Sequence, residues 1–187
     1  AINSSLAGVI SGAMNNDKYD RVYGSVNGIL GILEDRITDL TALIEDSPEK
    51  LNCLKHTPAM YLGSCRYKLP SYDDSTAKDE RFGSAAECYN LIFKQFEKYN
   101  VGAFFYIGGN DSMDTVLKLS EYGTSIGSDV RIIGIPKTID NDLMLTDHTP
   151  GFGSAAKYIA TSLLEIAHDT YTYAVKSVTI VEIMGRD

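Results

Sequence analysis

Two kinds of hydrophobic pattern run along the chain. Ile2, Leu6, Val9, Ile10 and Ala13 recur at helical spacing and predict an amphipathic helix over 2–14. Residues 21–26 read as a short strand after the Asn15-Asn16-Asp17 turn. Glycines at 24, 28 and 31 punctuate the next stretch, and 37–44 predicts a short helix. Residues 45–82 are polar and irregular and read as surface loop. From Gly83 the pattern sharpens. Ser84 with Glu87 three positions on has the form of a capping box, and Leu91, Ile92, Phe96 and Tyr99 continue the apolar face of the helix it opens. Residues 101–107 and 130–135 are near-continuous apolar runs, expected of strands buried on both faces, and 178–184 is a third. Helices are predicted between them over 111–122 and 153–168.

Repeated alternation of strand and helix predicts an α/β fold: a Rossmann-like, mostly parallel sheet with helices on both faces. The 187 residues fit one domain or slightly more. At 44% hydrophobic and 22% charged, the chain has enough apolar material for a core and does not read as disordered. The net charge of -8 argues against a nucleic-acid or membrane-surface partner, since both need a basic face. It leaves room for anionic small molecules, because a few cations and backbone N–H groups suffice to hold a phosphate. Cys53, Cys65 and Cys88 are an odd set without paired spacing and read as free thiols of a reducing, cytoplasmic compartment. The sequence shows no apolar run long enough to span a membrane and no leader-like start. His56 and His168 have no second ligand at metal spacing and read as surface or helix residues.

Ligands of open parallel sheets bind beyond the carboxyl ends of the strands, and three strand ends here are unusual. The first is Gly108-Gly109-Asn110-Asp111-Ser112, where glycines permit close approach of an anion and the next helix aims its N-terminal N–H groups at it. A plain turn, with Asp111 as a helix-start residue, fits the same letters. The second is Pro136-Lys137-Thr138-Ile139-Asp140-Asn141-Asp142. Two carboxylates at this spacing can divide labour, one taking a proton from a hydroxyl and the other organising a metal, while Lys137 faces phosphoryl oxygens. A solvated Asx-rich loop is the alternative. The third is Met184-Gly185-Arg186, in which Arg186 can offer a guanidinium to an anion or a carboxylate, while a purely structural strand end fits the same letters.

Together and in this order, these segments resemble the phosphofructokinase family. The 136–142 segment looks like its signature loop, Val181 to Arg186 like its sugar-phosphate strand, Leu62-Gly63-Ser64-Cys65-Arg66 like its arginine loop, and Gly151-Phe152-Gly153-Ser154-Ala155 like the helix start after the signature. The resemblance implies phosphoryl transfer to the 1-hydroxyl of fructose 6-phosphate. In that reading Asp140 is the general base, and Asp142 supports the site and magnesium. Thr138 lines the attacking hydroxyl, Arg66 bridges donor and acceptor phosphates, and Met184, Gly185 and Arg186 contact the sugar phosphate. Gly109, Asn110, Asp111 and Ser112 flank the donor. Such chemistry needs alignment and charge neutralisation more than covalent help.

ATP-using relatives have glycine where this chain has Asp111 and where it has Lys137. Asp111 would repel a nucleotide's α-phosphate by about 4 kcal/mol at ~4 Å and an effective dielectric of ~20. Lys137 would hold the shorter pyrophosphate. The resemblance is therefore to the pyrophosphate-dependent branch, acting in glycolysis, with magnesium at Asn110 and Asp142. Asn110 is a departure: most relatives place an aspartate there, and asparagine gives the metal one oxygen without charge. The alternatives are an ATP-dependent 6-phosphofructokinase and a non-catalytic, regulatory member that binds sugar phosphate. Relatives begin with a strand and a Gly-Gly loop and continue into a second, sugar-phosphate domain. The resemblance accordingly reads 1–187 as a partial N-terminal, donor-binding domain without those pieces. It also implies a homo-oligomer, dimer or tetramer.

Overall fold

A computed structural model describes residues 1–45, 47 and 49–183. The chain divides into two compact units, Ile2–Pro136 and Lys137–Asp187 with Ala1.

The first unit opens with α1 (Ile2–Met14), β1 (Tyr23–Ser25), α2 (Ile29–Leu33), β2 (Ile37–Asp39), α3 (Leu40–Glu45) and α4 (Glu49–His56). It continues with β3 (Lys78–Asp79), β4 (Gly83–Ser84), α5 (Ala85–Lys98), β5 (Ala103–Gly108), α6 (Asn110–Ser125) and β6 (Arg131–Pro136). β5 and β6 pair in parallel, Ala103 against Arg131 through Gly108 against Pro136, while β1–β2 and β3–β4 are short antiparallel pairs. Helices pack against both faces of the parallel pair without covering it fully. Phe104 and Tyr106 of β5 face a cluster built on Ile29, Leu33, Tyr89, Ile92, Phe93, Phe96 and Leu119, from α2, α5 and α6. Ile107, one step on and so on the opposite face, packs against Leu6, Ile10, Leu40 and Ile44 of α1 and α3. This is the expected α/β arrangement.

Three expectations about this unit need correction. Residues 37–44 are not one helix. Ile37 and Thr38, both β-branched, pair with β1, and Asp39 then accepts the amide of Ala42 (3.2 Å), the i to i+3 bond that starts a helix. The 45–82 segment is not all loop, because α4 lies within it. Its apolar positions, Leu51 and Leu54, were too few to show a period, yet both pack on the α1–α3 cluster. Asn3 and Ser4 of α1 donate to the carbonyls of Thr57 and Lys55 (2.9 and 2.8 Å), which tie down its C-terminal end. Finally, the strand runs were expected to be buried on both faces, but β5 and β6 are mostly half-buried, with Phe105 and Ile133 exposed.

The capping box forms as the sequence indicates. Glu87 N–H donates to Ser84 Oγ (3.3 Å) and Ser84 N–H donates to Glu87 Oε2 (2.7 Å).

In the second unit α7 spans Phe152–Tyr171, and none of its residues is buried. The third run is a correction as well. Residues 178–183 are irregular, with Val178 and Ile180 89% and 90% exposed. An apolar run states what a segment can do in a sheet, but a strand forms only where a neighbour takes its N–H and C=O groups. Met184 lies outside the described residues. No helix among the described residues is long and apolar enough to cross a membrane.

Candidate active site

The first unit holds one strand end and one loop of interest. β5 stops at Gly108, and Gly109, extended at φ -84°, is the N-cap of α6. Gly109 has no side chain to cap with, so its carbonyl organises the turn by accepting the amides of Ser112 and Met113, both at 3.0 Å. Gly108 is buried under Ser112: a Cβ there would overlap the Ser112 hydroxyl and come 2.5 Å from its Cβ. The first turn and positive end of α6 therefore emerge beside Gly109, with Asn110 and Asp111 exposed and Ser112 half-buried against the strand end. Behind them Thr115, buried, donates from its hydroxyl to the Asp111 carbonyl (3.0 Å).

The arginine loop belongs to the same unit. Cys65, Tyr67 and Leu69 turn inward while Arg66 and Lys68 are exposed. Cys65 and Tyr106 of β5 meet over Gly28, where a Cβ would lie 3.2 Å from Cys65 Sγ and 3.4 Å from the Tyr106 hydroxyl. Burial, reinforced by Cys65, pushes the Tyr106 phenol up to about 12. Lys118 of α6 donates to the Leu69 carbonyl (3.1 Å) and pairs with Asp114 (2.7 Å). The loop is thus tied to the strand and the helix that frame Gly109–Ser112. Burial also raises the Tyr67 phenol, which touches Cys88 Sγ at 3.9 Å.

The second unit holds the signature loop. Lys137, half-buried, comes directly after Pro136. Thr138 is buried and bridges Gly151 in parallel. Its N–H donates to Pro150 O, its carbonyl accepts from Thr149 Oγ1, and its own Oγ1 accepts the Asp140 amide, each at 3.0 Å. Asn141, left-handed at φ 54°, turns inward. Its Nδ2 donates to Asp147 O (3.1 Å), and its Oδ1 accepts the Thr149 amide (2.9 Å). Thr138, Asn141 and Thr149 therefore close the loop over 137–151, and Asp140 and Asp142 on either side of Asn141 are both exposed. His148 lies 6.1 Å, ring to ring, from Phe152 at the start of α7.

The candidate residues are thus split. Arg66, Gly109, Asn110, Asp111 and Ser112 sit in the first unit, and Lys137, Thr138, Asp140 and Asp142 in the second. Met184, Gly185 and Arg186 lie outside the described residues. Sequence reasoning missed Asn27 and Thr149, which hold the two loops. Asn27-Gly28 was a readable turn signal, whereas nothing local marks Thr149.

The family model "Phosphofructokinase" matches residues 1–187. The pyrophosphate–fructose 6-phosphate 1-phosphotransferase of Halomonas elongata is 40% identical over 188 residues, covering 99% of this chain and 42% of that protein. The enzyme of the same name from Xanthomonas campestris pv. campestris is 42% identical over 187 residues, covering 99% and 41%. The chain thus spans about two-fifths of these relatives. A crystal structure of pyrophosphate-dependent phosphofructokinase from Marinobacter aquaeolei superposes with TM-score 0.75 at 41% identity, covering 91% of this chain and 38% of that one. Because the family model runs the full length of the sequence, the chain belongs to the phosphofructokinase family.

Proposed function

We propose that this protein transfers a phosphoryl group from pyrophosphate to the 1-hydroxyl of fructose 6-phosphate, giving fructose 1,6-bisphosphate. The observation that carries the reading is the closed loop over 137–151, which turns Asn141 in and leaves a carboxylate on either side of it. The substrate pair is that of the relatives from Halomonas elongata and Xanthomonas campestris pv. campestris, as their names give it.

In this reading Asp140 takes the proton of the attacking hydroxyl as the bond to phosphorus forms. The loop suits that role because Thr138 holds the Asp140 backbone amide, so the carboxylate swings from a fixed point. Lys137 and Arg66 neutralise charge on the moving group, and as the bridging P–O bond breaks the other half of pyrophosphate leaves as inorganic phosphate. Thr138, Met184, Gly185 and Arg186 take the sugar phosphate. Gly109 and Ser112 bring the N-terminus of α6 to the donor. Asp111, in the first turn of that helix, disfavours a nucleotide. Its exposure sets the repulsion between about 1 kcal/mol in water and about 4 kcal/mol at an effective dielectric of ~20.

Magnesium fits as a cation bound together with the donor. In this reading Asn110 and Asp142 would each contribute an oxygen to it. When bound it would neutralise charge on the donor phosphates. The reading also includes a cytoplasmic homo-oligomer.

The test is turnover of fructose 6-phosphate with magnesium and either pyrophosphate or ATP. Phosphorylation with pyrophosphate is expected. A preference for ATP would overturn the donor, and sugar-phosphate binding without turnover from either donor would overturn the enzyme.

A further inference from the structure

We infer that Asn27 is a positioning residue that sets where Arg66 points. The inference rests on the reading above, in which Arg66 acts on the transferred group.

Arg66 sits on a segment with no strand ladder to hold it and makes no ion pair among the described residues. Its direction therefore depends on how both ends of the segment are fixed. Downstream the anchors are packing and backbone capture. Tyr67 stands edge-on to Phe82 (6.0 Å, 89°), Leu69 is buried, and the Tyr89 hydroxyl donates to the Pro70 carbonyl (2.8 Å).

Upstream, Asn3 Oδ1 of α1 accepts the Tyr61 amide (2.8 Å), and nearer Arg66 the backbone is held by Asn27. Its N–H donates to the Leu62 carbonyl (2.7 Å), and its Nδ2 donates to the Ser64 carbonyl (3.2 Å), two residues before Arg66. The fit is close. Gly63 lies between these carbonyls at φ +73°, and a Cβ there would overlap Asn27 Nδ2.

Asn27 is itself held. It occupies the left-handed region at φ 66°, which asparagine tolerates. Arg36 Nη1 donates to its Oδ1 (2.6 Å). Since arginine can only donate, this bond assigns the amide and leaves Nδ2 for Ser64. Arg36 pairs with Glu34 (2.6 Å), and Glu34 also meets Arg81 (3.4 Å). The Arg81 guanidinium lies 4.8 Å over the Phe82 ring, against which Tyr67 stands. A single network therefore links both ends of the arginine loop.

Asn27→Gly keeps the left-handed backbone and removes only the side chain, while Asn27→Asp keeps the shape and turns the donor toward Ser64 into an acceptor. In the full-length enzyme, kcat with pyrophosphate should fall roughly 10- to 100-fold in both variants, with KM for both substrates little changed. The same Asn27→Gly change made on Arg66→Ala should cost less than about twofold, because its effect runs through Arg66. An equal fold-loss in both backgrounds, unchanged kcat, or loss of the fold in both variants would overturn the inference alone. If Arg66→Ala itself left kcat unchanged, Arg66 would lose its place in phosphoryl transfer and Asn27 would fall with it.

Discussion

The turn at Gly108–Ser112 and the loop over 137–151 both present carboxylates, but different forces shape them. The first is set by backbone. Gly109 O holds two amides, Gly108 is pressed under Ser112, and α6 behind them is anchored by Leu119, which is fully buried. The second is set by its own side chains, with Thr138, Asn141 and Thr149 exchanging hydrogen bonds around the loop. Their surroundings differ in the same sense. Among the described residues every buried hydrophobic lies between Leu6 and Leu119, whereas in α7 Leu164 is 64% exposed. One carboxylate therefore rides on a packed core, and the others depend on a few polar bonds close at hand. Damage to the first should register as lost stability, and damage to the second as lost chemistry.

The largest effect that would break this contrast is at Asp140. Asp140→Ala should lower kcat by about 10²- to 10⁴-fold while leaving KM and thermal stability nearly unchanged. Near-normal turnover would show that the loop carries no base. Next comes the core. Leu119→Ala should cost roughly 2–5 kcal/mol in urea unfolding. Leu164→Ala, at an exposed position, should stay within about 0.5 kcal/mol. Equal losses at the two sites would erase the distinction between the units. Third, Asn141→Ala removes two hydrogen bonds and strains a left-handed residue, so kcat should drop roughly tenfold through displacement of its neighbouring carboxylates. A purely thermal effect, with kcat intact, would count against loop closure as the control on Asp140.

The smallest effect is a pH dependence. The backbone N–H of Ser84 and then its hydroxyl hold the Glu87 carboxyl below its ordinary value. The folded pKa is depressed, so this stabilisation is present above the unfolded value of about 4.3 and is lost as pH falls through the lower, folded value. Thermal melts of Glu87→Gln and the parent protein should therefore converge on acidification, and a gap that holds steady would remove charge from the cap.

What could be read in the letters depended on how far each interaction reaches along the chain. The capping box spans three residues, and β5 to α6 is one apolar run, two glycines and a helix period, so both were visible. α4 was hidden because two leucines in a polar octet give no period until α1 packs on them. Helix was expected at 37–44, but pairing with β1 claims the first three residues. At the site, the signature loop and arginine loop were legible as motifs. The groups that hold them were not: Thr149 bonds a residue 11 positions back and Asn27 a residue 37 positions on. Hydrogen bonds at those separations leave no local trace.

The crowding of Gly108 by Ser112 has a consequence for sequence variation. A library randomised at 108 should keep glycine alone, since any larger residue must move the first turn of α6 and with it Asp111. Gly8 and Gly12 on α1 are the internal control, because nothing lies within 4 Å of a Cβ added at either. Alanine there meets no obstacle and should raise helix stability by about 0.5–1 kcal/mol each. The same amino acid is thus indispensable at one point of this chain and a removable weakness at two others.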